Sequence, residues 1–89
     1  MKVSFRQSFV RDIGRITDAR IRRRIQAKIE AVETARSLSE VGGQRRLRGE
    51  DGTYYRIRVG DYRIGMRMID DEVDFVRVLH RREIYRYFP

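Results

Sequence analysis

The chain has no cysteine and no tryptophan, one proline at its last position, one histidine, and two lysines among 21 basic residues. Without cysteine there can be neither disulfides nor a thiolate metal site, and one histidine leaves a transition-metal centre too few ligands. That usage fits a reducing compartment. No stretch approaches the roughly 20 apolar residues of a membrane span. The opening Met1-Lys2-Val3-Ser4-Phe5-Arg6 runs straight into charge, with no secretory apolar segment. Internal repeats, linkers and low-complexity tracts are missing, as is a phosphate-binding glycine loop followed by Lys-Ser/Thr. Paired carboxylates do not stand out either, because Asp70, Asp71, Glu72 and Asp74 read as turn and edge residues. The expectation is one soluble, cytoplasmic domain over residues 1–89, with no cofactor, no metal and no membrane association.

What is present is a core and a positive charge. An apolar fraction of 40% over 89 residues supports one compact domain of modest stability. The formal net charge is +8, and 19 of the basic residues are arginine. Residues 1–44 carry ten basic and five acidic groups, and residues 45–89 carry eleven and eight, so the excess is not a detachable tail. Such a surface attracts polyanions, and the planar guanidinium suits bidentate phosphate contacts. A GC-rich coding sequence accounts for arginine over lysine but not for the positive excess.

The pattern then gives the order of elements. Lys2 to Arg6 alternates and reads as a short strand. Phe9, Ile13 and Ile16 form a helical stripe over 7–16, with Ser8 near its N-cap. Thr17-Asp18 supplies a break and a second N-cap. Ile21, Ile25, Ile29 and Val32 then share one face of a helix from Ala19 to about Arg36. The segment 37–44 reads as a loop. Beyond it the period becomes two, with strands at 54–59, 62–69 and 73–79, and a short helical turn within 80–88. The predicted fold is α+β: an N-terminal strand and αα-hairpin packed on a C-terminal antiparallel β-meander, closed by a short helix.

The two-residue turn Gly60-Asp61 sets the register of the central hairpin. Val59 then faces Tyr62, Arg58 faces Arg63, and Arg56 faces Gly65. Tyr55, Ile57, Val59, Tyr62, Ile64, Met66 and Met68 fall on the face for the helices. Tyr54, Arg56, Arg58, Arg63, Gly65 and Arg67 fall on the open one. Like charges directly opposite each other destabilise a sheet, so this face needs carboxylate neighbours such as Asp61 or Glu83, or an anionic ligand. Gly65 leaves room beside Arg56 for something to lie there. Arg77 belongs on the helix face if the second turn has two residues, and on the open face if it has three.

His80, at the end of the last strand and beside Arg81 and Arg82, tends toward the neutral form that can act as a base. Tyr85 and Tyr87 either stack on bases and bind phosphate or anchor the last turn. Arg22, Arg23 and Arg24 read as solvated, since the isoleucines occupy one face of their helix.

Leu47-Arg48-Gly49, then Tyr54-Tyr55-Arg56-Ile57-Arg58-Val59-Gly60-Asp61-Tyr62-Arg63-Ile64, then His80-Arg81-Arg82-Glu83-Ile84-Tyr85 resembles the RelE/ParE superfamily of type II toxins over essentially the whole chain. The RelE branch implies a ribosome-dependent endoribonuclease that cuts mRNA in the A site. It needs no metal: the ribose 2′-hydroxyl attacks the adjacent phosphate and the 5′-oxygen leaves. By this resemblance Arg56, Arg58, Arg63, Arg81 and Tyr85 are catalytic. Arg56 and Arg58 stand where that branch often has lysine, and an ever-charged guanidinium is a poor base, so His80 is the preferred acid/base. Tyr54, Arg67, Arg48 and Arg82 are the expected further RNA contacts. The implied partners are a RelB-like antitoxin, the ribosome and its mRNA, and operator DNA reached only through the toxin–antitoxin complex. A ParE-like, non-catalytic inhibitor of DNA gyrase is the alternative, and it shares the fold.

Overall fold

The computed structural model describes residues 1–49 and 52–89, and of Arg48 the backbone alone. Its elements run β1 (Lys2–Phe5), α1 (Gln7–Arg15), α2 (Ala19–Thr34), a 3₁₀ turn (Leu38–Glu40), β2 (Gln44–Gly49), β3 (Gly52–Val59), β4 (Tyr62–Ile69), β5 (Glu72–His80) and α3 (Ile84–Tyr87). The strands form one sheet in the order β1-β5-β4-β3-β2. β1 is parallel to β5 and the other pairs are antiparallel.

The helical stripes behave as read. Asp18 caps α2 by accepting from the N–H groups of Arg20 and Ile21, at 2.9 and 3.3 Å. Ile25 and Val32 are fully buried, with Ile21 and Ile29 beside them. They meet Ile57, Val59, Ile64 and Met66 from the sheet, and each such burial contributes about 1.5–3 kcal/mol. Ser8, however, does not cap α1. The N-cap position is Arg6, and the Ser8 hydroxyl donates to the Val76 carbonyl at 2.6 Å.

That bond belongs to a larger arrangement along β5. β1 pairs with β5 only as far as Phe75. From there α1 takes over the edge, using two side chains one helical turn apart. Ser8 satisfies the Val76 carbonyl, and Asp12 accepts from the Val78 N–H at 3.1 Å. Two free edge groups of the strand are thereby satisfied by side chains.

β2 is the element missing from the sequence reading. It pairs with β3 from Gln44↔Ile57 to Gly49↔Gly52. One apolar residue among Gln44-Arg45-Arg46-Leu47-Arg48-Gly49 carries no strand signal. Charged side chains are nonetheless what an edge strand uses against unwanted pairing.

Two features of the open face also differ. The second turn, Asp70-Asp71, does have two residues, with Asp70 in the left-handed region at φ 55°. Yet Arg77 lies opposite Gly65, on the open face, because the register shifts by one between Gly65↔Arg77 and Met66↔Phe75. Val76 is the extra residue of this β-bulge, and it reverses the side of everything after it. The space over Gly65 is filled by the chain itself. A Cβ there would lie 2.6 Å from the Phe88 ring, and Phe88 is only 4% exposed. With Ile84 also buried, α3 and Phe88 cover part of the face expected to be open.

Candidate nucleic-acid interface

Strand register places the arginines in cross-strand rows. Arg45 lies opposite Arg56, which lies opposite Gly65 and, beyond it, Arg77. One row over, Arg58 faces Arg63. On the other side of Gly65, Leu47, Tyr54, Arg67 and Asp74 make a third row. Phe88 sits on Gly65 with its ring edge-on to Tyr54 at 5.5 Å, so it divides the face in two.

On one side lies an open cavity of about 310 Å³ lined by Gly43, Gln44, Arg45, Arg56, Arg58, Arg63 and Tyr85. Arg45, Arg56 and Arg58 have no carboxylate partner among the described residues. Arg63 donates to the carbonyls of Gly60 and Tyr62, both at 2.9 Å, and so rests against its own turn. Tyr85 is 66% exposed, which decides between the two readings of it: the ring does not anchor the last turn. The Arg56 guanidinium carbon stands 4.7 Å from its centroid, a contact worth about 0.5–1 kcal/mol at an exposed site. The anchors of that turn are Ile84 and Phe88.

On the other side of Phe88, Arg67 lies over the Tyr54 ring at 5.7 Å. Neither residue lines the cavity. The expected set Arg56, Arg58, Arg63 and Arg67 around Gly65 is therefore split by the chain's own terminus.

The remaining expected residues scatter. Arg81 follows β5; its N–H donates to the Asp61 carbonyl at 2.7 Å, and its Nε stands 3.8 Å from the Asp61 carboxylate. It borders a neighbouring groove that also contains Arg58 and Arg63. Arg82 is exposed and outside the cavity. The side chain expected at Arg48 lies outside the described residues.

His80 corrects the acid/base expectation. It pairs with Tyr62, whose side chain packs against the core on the helix face. The two rings meet edge-on at 5.7 Å. Its other neighbours include Asp12, Arg15, Ile16 and Glu83, and its Nδ1 accepts the Arg82 N–H at 3.2 Å. The imidazole is thus on the side of the sheet away from Arg56, Arg58 and Arg63.

Two residues that shape this face escaped the sequence reading. Arg45 was hidden because β2 was. Asp12 had a signal: a carboxylate inside the apolar stripe of Phe9, Ile13 and Ile16 needs a partner. That partner is Arg77, held bidentately at 2.7 and 3.0 Å. The hydrogen bonds that Arg77 donates to Asp12 raise the Arg77 pKa above its ordinary value, against the opposing effect of burial.

Among the described residues, no group of three or more His, Cys, Asp or Glu could hold a metal ion. No helix among them is long and apolar enough to cross a membrane.

Residues 3–85 match the family model of the ParE toxin of the type II parDE toxin–antitoxin system. Toxin RelE3 of Methanocaldococcus jannaschii is 43% identical over 90 aligned positions, which cover all of both chains. Among solved structures, the RelB–RelE antitoxin–toxin complex from Methanococcus jannaschii matches with a TM-score of 0.78 at 41% identity, over 96% of this chain and 98% of that one. The archaeal RelE–RelB complex from Pyrococcus horikoshii matches with a TM-score of 0.73 over 90% and 93% of the two chains; at 20% identity it shows the fold alone.

Proposed function

The chain belongs to the RelE-like type II toxins, and from that premise we propose that it is a ribosome-dependent endoribonuclease acting on mRNA in the cytoplasm. One observation carries the reading. Arg45, Arg56, Arg58 and Arg63 converge on one cavity whose described lining contains no carboxylate. A fixed cluster of guanidinium groups is what a phosphorane dianion needs, because preorganised charge stabilises the transition state more than the singly charged ground state.

In the proposed reaction the 2′-oxygen bonds to phosphorus and loses its proton, while the bond to the 5′-oxygen breaks and that oxygen gains one. A 2′,3′-cyclic phosphate and a 5′-hydroxyl result, and no metal takes part. Arg56, Arg58 and Arg63 hold the phosphate oxygens and cannot serve as the base. Tyr85 has the only hydroxyl in the lining; it relays a proton at the reacting oxygens, with Arg56 stacked on its ring. Arg81 approaches from the adjoining groove. Tyr54, Arg67 and Arg82 lie farther out and contact RNA in the flanks, and Arg48 is proposed with them on its sequence position alone.

The partner is a cognate antitoxin of RelB type, as in the complexes of the archaeal relatives, and operator DNA is met only through that complex. A second reading, ParE-like inhibition of DNA gyrase without catalysis, is favoured by the matching family model. The two are separated by adding purified protein to programmed ribosomes and mapping mRNA ends, with gyrase supercoiling assayed in parallel. Cuts confined to the A-site codon are expected. Gyrase inhibition with intact mRNA would establish the other target.

A further inference from the structure

We propose that the groove between α2 and the β3–β4 turn is a second phosphate-binding track, in which Arg24 and Lys28 hold the backbone of the RNA strand beside the cleaved bond. The proposal rests on the nuclease reading above and extends it to a surface outside the catalytic cavity.

The groove encloses about 700 Å³ and is continuous with the cavity through Gly43, Arg58 and Arg63. Arg24 and Lys28, one helical turn apart on α2, form one wall; Arg58, Arg63 and Arg81 form the other. Asp61 is the single carboxylate facing these five cations among the described residues, and it is solvent-exposed, with only a 3.8 Å approach to Arg81. Arg24 has no carboxylate partner among the described residues. Convergent like charges of this kind repel each other until an anion enters.

The floor is backbone. Gly43 and Gly60 have positive φ, 78° and 57°. A Cβ on Gly43 would stand 3.3 Å from the Arg58 carbonyl, and one on Gly60 would stand 2.9 Å from Arg24 Nη1. Side chains are thus kept out of the channel, and Arg24 lies directly over the hairpin turn. Lys28 Nζ donates one proton to the Gly42 carbonyl at 2.8 Å, which fixes the ammonium at the rim and leaves two further donors.

Charge alone would admit an acidic peptide, but the lining contains no apolar side chain. A peptide docking as a helix or strand relies on apolar anchor pockets, whereas a sugar–phosphate backbone does not. The route is also constrained. Phe88, packed on Gly65 and against Tyr54, closes the cavity toward Arg67, so a strand lying over Arg56 and Arg58 has the α2 groove as its exit.

The test is the double variant Arg24→Gln, Lys28→Gln, in which glutamine keeps a donor for Gly42. Binding of uncleavable 2′-O-methyl oligoribonucleotides of two and eight nucleotides is followed by fluorescence anisotropy over a salt series. The octanucleotide should lose affinity, and the slope of log K against log salt should fall by about 1.4, from two contacts at about 0.7 each for single strands. The dinucleotide, with a single phosphodiester for the catalytic cavity, should bind both proteins alike. Equal loss on both lengths, no loss on either, or no binding of the octanucleotide by the unaltered protein would overturn the track. So would a loss of affinity for the antitoxin alone, which would mark an acidic-peptide site. The nuclease reading fails by a different result, intact mRNA on programmed ribosomes, because the anisotropy comparison requires no cutting.

Discussion

Arginine does two different jobs on the two halves of this sheet. On the β1–β5 side two guanidinium groups have carboxylates: Arg6 pairs with Asp74, which also accepts from Ser4, and Arg77 pairs bidentately with Asp12. On the β2–β4 side Arg45, Arg56 and Arg58 have none among the described residues, and Arg63 leans on turn carbonyls. The paired half is partly buried, and Asp12 is joined to backbone as well as to its arginine. The other half is a cavity open to solvent. A net charge of +8 is therefore a poor guide by itself. What matters is where compensating acids are absent, and among the described residues none lines the cavity beside Tyr85.

Removing an acid from the paired half should have the largest effect. Asp12 is 3% exposed and holds Arg77 Nε, Arg77 Nη2 and the Val78 N–H at once. Asp12→Ala leaves a partly buried cation and a strand-edge donor without partners, and should destabilise the fold by about 3–5 kcal/mol. Urea denaturation measures this directly. The loss is a large share of the 5–15 kcal/mol typical of a small domain. A change below about 1 kcal/mol would mean that the pair is not a structural joint.

The mirror experiment is on the other half. Arg63→Ala should lower the rate of mRNA cutting by about 10²–10³, the effect of removing one preorganised charge donor. Its urea midpoint should stay close to that of the unaltered chain, since the side chain's own bonds are to an exposed turn. A variant that unfolded but still cut RNA in its folded fraction would put Arg63 with the structural arginines.

His80 gives the third and smaller effect. Placed across the sheet from the cavity, it meets the Tyr62 ring and accepts the Arg82 N–H, and neither residue lines the cavity. His80→Ala should therefore slow cleavage less than about tenfold, within roughly 1.4 kcal/mol of barrier. A thousandfold loss would return the imidazole to the chemistry and require the C-terminal turn to rearrange on the ribosome.

The comparison also shows what could be read from sequence. The central hairpin was legible to the residue, because a glycine-led two-residue turn and period-two alternation agree on one register. The start and buried face of α2 were legible too, where the isoleucine stripe and the Asp18 cap point the same way, although the helix ends at Thr34 and not at about Arg36. The misses are non-local. β2 is a strand because β3 offers it an edge, not because its own residues prefer one. The Val76 bulge that turns Arg77 outward has no local signature in a run of apolar and charged residues. Nothing near Gly65 announces that Phe88, 23 positions later, will fill it. The side of the sheet on which His80 falls depends on that same bulge, so one extra residue separated the acid/base expectation from its site.

The smallest effect is the most direct test of the unpaired half. Arg58 and Arg63 face each other across β3 and β4 with no carboxylate between them. Like charges directly opposite on a sheet cost about 0.2–1 kcal/mol. Arg58→Gln keeps the hydrogen-bonding end and much of the aliphatic stem but removes one charge, so it should raise stability by about that amount at low salt. The gain is expected to fade as the Debye length contracts to about 3 Å at 1 M salt, which distinguishes charge relief from better packing. Comparing the urea midpoints of the two proteins at low and high salt measures both. If the same variant cleaves mRNA poorly while folding more tightly, the repulsion at Arg58 is retained for its ligand. If it folds less tightly at low salt, the two guanidinium groups are not in conflict, and an anion is not what the cavity lacks.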